Sequence, residues 1–66
     1  MSKQKIIIKC TDLENRTILI GVESIIGIET IKKDNVLVSK ILSRGAMVET
    51  FRVKESIDEI WQMINE

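Results

Sequence analysis

The side chains that most often carry out catalysis are scarce in this chain of 66 residues. The sequence has no histidine and no tyrosine, and Cys10 is its only cysteine. Three acids, Glu55, Asp58 and Glu59, cluster near the C-terminus, but a helix start favours acids for electrostatic reasons alone. We therefore predict that the protein is not an enzyme, and that it holds no metal and no cofactor.

Cys10 is the one candidate nucleophile, and its position favours a structural role. It continues the alternation of Ile6 and Ile8, and a reactive thiol would need a nearby base or a positive environment. We predict a buried, inert thiol. A lone cysteine suits a reducing compartment, and the sequence shows neither a signal peptide nor an apolar run long enough to span a membrane. These features predict a cytoplasmic protein without a membrane partner.

Basic side chains raise the alternative of RNA binding. Lys32 and Lys33 fall in one predicted turn and Arg44 in another. The formal net charge is zero, so no overall field attracts nucleic acid. Single strands are usually held on aromatic side chains, and this chain has one Phe and one Trp. Surface solvation explains these bases better than RNA binding does, although a symmetric ring would repeat each basic turn in every subunit.

The elements that must position these residues are short runs rich in Ile and Val, which predict β-strands. In the last run, Val48, Thr50 and Arg52 alternate with inward-facing residues. We predict one domain over residues 1–66, mainly β, with five antiparallel strands curled into a small SH3-like or Sm-like barrel and a C-terminal α-helix. The predicted strands cover residues 5–10, 16–22, 25–31, 35–42 and 47–53.

Turn residues separate these runs. The segments "DLEN" and "KKDN" supply Asp and Asn, whose short polar side chains favour turns. Gly45 follows the fourth run, where a glycine accepts a positive φ without steric cost. Gly27 lies inside the third run, where it predicts a bulge or a bend.

The segment "FRVKESIDEIWQMINE" ends the chain with a helix signal. Ser56 and Glu59 form the S-x-x-E pattern of a capping box, which predicts a helix over residues 57–65. Ile57, Ile60, Trp61 and Ile64 form one apolar stripe on it. A helix this short must dock to be stable. We predict that Trp61 belongs to the core and caps an open end of the barrel; the alternative is that it anchors a neighbouring chain.

The apolar patterning also predicts a homo-oligomer. Residues 6–8, 18–20 and 36–38 are consecutively apolar, so both faces of those strands carry apolar side chains, and subunit contacts would cover the second face. A chain of this size buries only about 60% of its unfolded surface. Residues 1–9 carry three lysines, whereas residues 49–66 carry five acids and two bases. These ends are two solvated surfaces, or they attract each other within or between chains.

The order of elements resembles that of small FlbD-like proteins associated with flagellar genes. A hydrophobic first strand, a polar turn, "ILIGVESIIGIETI", a hairpin and a strand ending in "VKESIDEIWQMI" follow one another over nearly the whole chain. The resemblance implies a small β domain with a protein-interaction or regulatory role. The residues that match closely are Val53, Glu55, Ser56, Glu59, Ile60 and Ile64.

A second, shorter segment is similar to the Sm-like RNA chaperones. In "LSRGAMVETF", Arg44 and Gly45 precede an apolar strand that contains Val48 and Phe51. This resemblance implies a ring that binds RNA near the Arg44 loop. We therefore predict a non-enzymatic protein-interaction or assembly module that acts as a homo-oligomer, with an Sm-like RNA-binding oligomer using Lys32, Lys33 and Arg44 as the alternative.

Overall fold

A computed structural model describes residues 6–66 of the chain. The prediction of a mainly β fold with a C-terminal helix is confirmed: five strands and one α-helix follow one another in the described residues. Lys5, the first residue of the first predicted strand, lies outside the described residues, as does Lys3. The elements are β1 (Ile7–Thr11), β2 (Thr17–Gly21), a 3-10 turn (Val22–Ser24), β3 (Ile25–Lys33), β4 (Val36–Arg44), β5 (Val48–Val53) and α1 (Ile57–Asn65).

The strands form two antiparallel sheets. One sheet consists of β1 and β2, and the other has the order β3, β4, β5. Within residues 6–66, one isolated bridge between Asp12 and Val53 joins them, and the Lys54 N–H donates to the Thr11 carbonyl at 2.8 Å beside it. The sheets are not closed into a barrel, so the structure establishes two sheets where the sequence predicted one closed barrel.

Two-residue hairpin geometry fixes the register of β3 and β4. Asp34 and Asn35 have φ angles of 50° and 64°, and Lys33 pairs with Val36 on either side of them. Positive φ at both central positions gives the turn a twist that matches the strands. The expectation for Gly45 is wrong, because no glycine in residues 6–66 has a positive φ.

The predicted irregularity at Gly27 is confirmed as a β-bulge. Ile25 lies opposite Ser43, and Gly27 lies opposite Leu42, the next residue back along β4. Ile26 is therefore an extra residue in β3. The register on the far side of the bulge places Ile28 and Ile41 opposite each other on the face that packs into the core.

The core lies between the two sheets and the helix. Cys10 and Ile41 are almost completely buried there, with 1% and 0% of their surface exposed, which confirms the predicted burial of the thiol. The helix adds Ile60, which is also fully buried. The core cluster consists of Ile8, Cys10, Ile20, Ile41, Val53 and Ile60.

Helix α1 begins as the sequence predicts. The Ser56 Oγ accepts the Glu59 N–H at 3.1 Å, and the Glu59 Oε1 accepts the Ser56 N–H at 2.9 Å, so the capping box is complete. Ile60 packs into the core from the middle of the helix, and Met63 and Ile64 pack against it from the last turn. In residues 6–66, no helix has the length and apolar character needed to cross a bilayer.

Candidate interaction surfaces

The groups that could do chemistry have structural roles in the fold. Burial, followed by the nearby negative charge of Glu55, raises the pKa of the Cys10 thiol to about 11, so the thiol is protonated at neutral pH. Glu55 accepts the Thr11 backbone N–H, and Glu59 completes the capping box. Within residues 6–66, no group of three or more acidic, Cys or His side chains is placed to hold a metal ion.

The three basic residues predicted as an RNA site do not come together. The prediction that these residues lie in turns is wrong, because Lys32 and Lys33 end β3 and Arg44 ends β4. Adjacent strand residues such as Lys32 and Lys33 point to opposite faces of a sheet. Lys33 pairs with Val36 and Arg44 pairs with Val48. Because Val36 and Arg44 are at the two ends of β4, Lys33 and Arg44 are separated by roughly 27 Å along the strand.

The structure instead places four cations on one face of the three-stranded sheet. Lys33 and Arg44 share this outer face with Lys40 and Arg52, which lie directly opposite each other. We call this face the sheet surface. It consists of three cross-strand pairs whose β4 members are four residues apart. The pairs are Lys33 with Val36, Lys40 with Arg52, and Arg44 with Val48.

Sequence reasoning missed Lys40 and Arg52 as members of this set. The predicted alternation in the last strand did place Arg52 with Val48 and Thr50, and the four-residue spacing of Lys40 and Arg44 puts both on one side of a strand. The pairing of Lys40 with Arg52 depends on the register between β4 and β5. No local sequence signal gives that register.

The cations of the sheet surface are incompletely neutralised. Lys40 and Arg52 are like charges in directly opposite positions, which is destabilising. Glu29 lies across from Lys40 on the other side, with 3.6 Å between the carboxylate and the ammonium group. Among the described residues, neither Arg52 nor Arg44 has an acid within ion-pair distance. The surface therefore carries excess positive charge beside the exposed side chains of Val36 and Val48.

Trp61 is not part of the core, so the prediction that it caps a barrel end is wrong for the single chain. Its side chain is 64% exposed. Ile60 occupies the centre of the buried face, and Trp61 lies about 100° further around the helix. Met63 and Ile64 pack against the core instead. The other prediction for Trp61, contact with a neighbouring chain, stays a prediction.

The exposed side of α1 forms the second surface, which we call the helix surface. Asp58, Trp61 and Gln62 are spaced at i, i+3 and i+4, so they are neighbours on this side, and all three are exposed. Residues 57–65 contain two acids and no base. Among the described residues, Asp58 has no cation within ion-pair distance. The helix surface thus combines an exposed tryptophan with unneutralised negative charge.

A third exposed region lies on the outer face of the β1–β2 sheet. Ile7 and Leu19 are 54% and 69% exposed. Ile7 pairs with Gly21, and Leu19 pairs with Lys9, so the two apolar side chains are diagonal neighbours on one face. We call this region the hairpin surface. It is apolar like the helix surface, but its charged member, Lys9, is a cation.

An open cleft of about 610 Å³ lies between the β1–β2 turn and the three-stranded sheet. On the turn side, Asp12 forms an ion pair with Arg16 at 2.8 Å. Hydrogen bonding from the Arg16 backbone N–H, assisted by its guanidinium, lowers the pKa of Asp12. Lys33 and Arg52 reach the cleft from the sheet. Arg16 also pairs with Glu14 at 2.7 Å, so the turn side of the cleft has two acids for one base. Lys33 and Arg52 give the charged lining three bases for two acids.

Comparisons with known proteins do not assign the chain to a family. No protein family model, no curated protein and no solved structure matched it. The resemblances to FlbD-like and Sm-like proteins therefore stay predictions, and the case for a function depends on the surfaces described above.

Proposed function

We propose that this protein is a non-enzymatic interaction module that assembles with further copies of itself. One observation carries the proposal. Nine large apolar side chains of the described residues are more than half exposed, whereas seven hydrophobic side chains are buried. A chain that leaves more large apolar side chains exposed than it buries completely gains stability by covering the exposed ones. The exposed residues are Ile6, Ile7, Leu19, Ile26, Val36, Leu37, Met47, Val48 and Trp61.

The size of the chain supports the same proposal. A domain of about 60 residues buries a small share of its surface and is only marginally stable alone. Binding that involves the folded state and excludes the unfolded state adds stability by mass action. Most soluble oligomers are homo-oligomers, so a further copy of this chain is the partner we propose.

We also propose that the two sheets belong to a small barrel. The bridge between Asp12 and Val53, together with the short 3-10 turn between β2 and β3, supports a small barrel of the SH3-like or Sm-like class. The protonated, buried thiol of Cys10 is compatible with the cytoplasm, the location we propose. In that compartment, single cysteines stay reduced.

Native mass spectrometry of the full chain at near-physiological salt tests self-association. We expect a defined oligomer whose population rises with protein concentration. Sedimentation velocity over the same concentrations is the control, because it detects assemblies in solution without transfer to the gas phase. A monomer at every concentration in both measurements would contradict the proposal.

The sheet surface supports a second candidate, an oligomer that binds RNA. Lys33, the Lys40–Arg52 pair and Arg44 form a row of three positively charged positions, spaced by roughly 13 to 14 Å along the strands. The row carries no aromatic side chain, because Phe51 packs toward the core on the opposite face. Aromatic stacking supplies much of the affinity in most single-strand binders, so the interaction module is the better supported candidate.

Binding to a fluorescent single-stranded RNA at about 50 mM and about 200 mM salt separates the two candidates. Four phosphate contacts on a single strand would lower the affinity by roughly 50-fold over this range, because the bound counterions are released. We expect no measurable RNA binding at the higher salt. Tight binding there, lost in a variant with Lys40 and Arg44 changed to Gln, would favour the RNA candidate.

A further inference from the structure

We propose that the helix surface of one copy binds the sheet surface of the next, so that the chains assemble head to tail. This inference rests on the proposed self-association and names the surfaces that carry it. The helix surface is Asp58, Trp61 and Gln62. The sheet surface is the set of three cross-strand pairs that contains Lys40, Arg44 and Arg52.

Charge complementarity selects these two surfaces as partners. The helix surface contributes Asp58, which has no cation within ion-pair distance among the described residues. The sheet surface contributes Arg52 and Arg44, which lack an acid within that distance in the same part of the chain. An acid from a second copy would relieve the repulsion between Lys40 and Arg52, which the fold leaves only partly compensated.

The apolar content of the two surfaces also matches. Trp61 is 64% exposed, and Val48 and Val36 on the sheet surface are 53% and 59% exposed. A tryptophan packed on Val48 would bury its ring and could place the guanidinium of Arg44, which lies directly opposite Val48, over its face, a favourable cation–π geometry. Trp and Arg are the side chains that most often dominate binding energy at interfaces.

The two surfaces cannot meet within one chain. Ile41 on β4 and Ile60 on α1 share the core cluster, so the helix packs on the inner face of the three-stranded sheet. The sheet surface is the outer face, and the helix surface points away from the core on the other side. A contact between different surfaces of identical chains is heterologous, and it forms a closed ring or an open filament.

The hairpin surface is the main competitor for self-association, and its charge distinguishes it. Its apolar residues Ile7 and Leu19 surround Lys9, so two copies facing each other there would bring like charges together. This surface also offers no acid for the excess cations of the sheet surface. The helix surface supplies both the apolar anchor and the opposite charge.

Two variants of the full chain, prepared free of nucleic acid by nuclease treatment, test the inference by complementation. Trp61→Ala removes the anchor of the helix surface and leaves the sheet surface intact. Arg52→Glu reverses a charge on the sheet surface and leaves the helix surface intact. Lys9→Glu makes the same charge change on the hairpin surface and serves as the matched control.

We expect wild type and Lys9→Glu to form the same oligomer in sedimentation velocity. Trp61→Ala alone and Arg52→Glu alone should each associate at least about tenfold more weakly than wild type, because each loses an interface hot spot. An equimolar mixture of Trp61→Ala and Arg52→Glu should form a 1:1 dimer and nothing larger, because the mixture retains a single intact helix–sheet contact per pair.

Other outcomes separate the inference from the proposed function. A monomeric wild type would overturn self-association itself. If wild type is oligomeric but the two variants stay monomeric when mixed, only the head-to-tail contact is overturned. That result indicates a symmetric interface, in which every contact of the mixture contains a substituted residue. Loss of assembly in Lys9→Glu, or dissolution of the wild-type oligomer by nuclease, would assign assembly to the hairpin surface or to bound nucleic acid and would also overturn the inference.

Discussion

The Glu55 carboxylate accepts the backbone N–H of Thr11 with both of its oxygens, at 2.9 and 3.1 Å. The two residues are 44 positions apart in the chain. The contact joins the end of β1 to the segment between β5 and α1, and the Ser39 hydroxyl donates to the Glu55 carbonyl at 2.6 Å from β4. Glu55 thereby ties both sheets to the start of the helix.

Replacing Glu55 should therefore weaken the fold. Glu55→Ala leaves the half-buried Thr11 N–H without an acceptor and should lower the free energy of unfolding by about 1 to 3 kcal/mol. Glu55→Gln keeps one acceptor oxygen and should cost less. Urea unfolding measures both, with the exposed Glu49→Ala as the control. Equal stability of Glu55→Ala and Glu49→Ala would show that the contact contributes nothing.

Truncation of the two adjacent helix residues Ile60 and Trp61 should lower stability by very different amounts. Ile60→Ala opens a cavity in the core and should cost about 2 to 5 kcal/mol. Trp61→Ala removes an exposed side chain and should cost about 1 kcal/mol or less. Thermal unfolding at concentrations where the chain is monomeric compares them. A larger loss for Trp61→Ala would return that residue to the core.

Arg52→Glu should stabilise the monomer, since it replaces the like-charge pair with Lys40 by an opposite-charge pair. The expected gain in unfolding free energy is up to about 1 kcal/mol. Arg52→Gln removes the repulsion without adding attraction, so its free energy of unfolding should lie between those of wild type and Arg52→Glu. Urea unfolding in low salt measures the series, and the differences should shrink at high salt because the groups are exposed. An unfavourable effect of Arg52→Glu would mean that the two cations do not repel each other in the fold.

The Cys10 thiol should make stability fall at alkaline pH. Its pKa rises from 9.0 to about 11 on folding, so between these values the folded chain keeps a proton that the unfolded chain has lost. This contribution is constant below pH 9, and it decreases as the pH rises from about 9 to about 11. Urea unfolding at several pH values should show a steeper decline for wild type than for Cys10→Ala. Parallel declines would exclude a role for the thiol.

The helix shows how far local signals reach. The capping box and the apolar spacing predicted residues 57–65, the range that α1 occupies, because both signals depend on residues within two turns of each other. The same signals could not orient the helix. The apolar stripe that includes Trp61 is wide enough to dock in more than one rotation, and packing against the core selected Ile60, Met63 and Ile64.

The sheets show the same division. Runs of Ile and Val predicted the strands and their order, and Asp34 with Asn35 predicted the tight turn between β3 and β4. Local residues could not set the register that places Lys40 opposite Arg52, or the single bridge by which Asp12 and Val53 join two sheets that the sequence predicted as one barrel.

The sequence by itself thus determined the strands, the helix and the burial of Cys10, since alternation, turn residues and capping act over a few neighbouring positions. Only the tertiary structure decided that Lys33, Lys40, Arg44 and Arg52 share one face while Trp61 points away from the core. Pairing across strands and docking of the helix depend on contacts between residues far apart in the chain. The two surfaces proposed for assembly are products of those contacts.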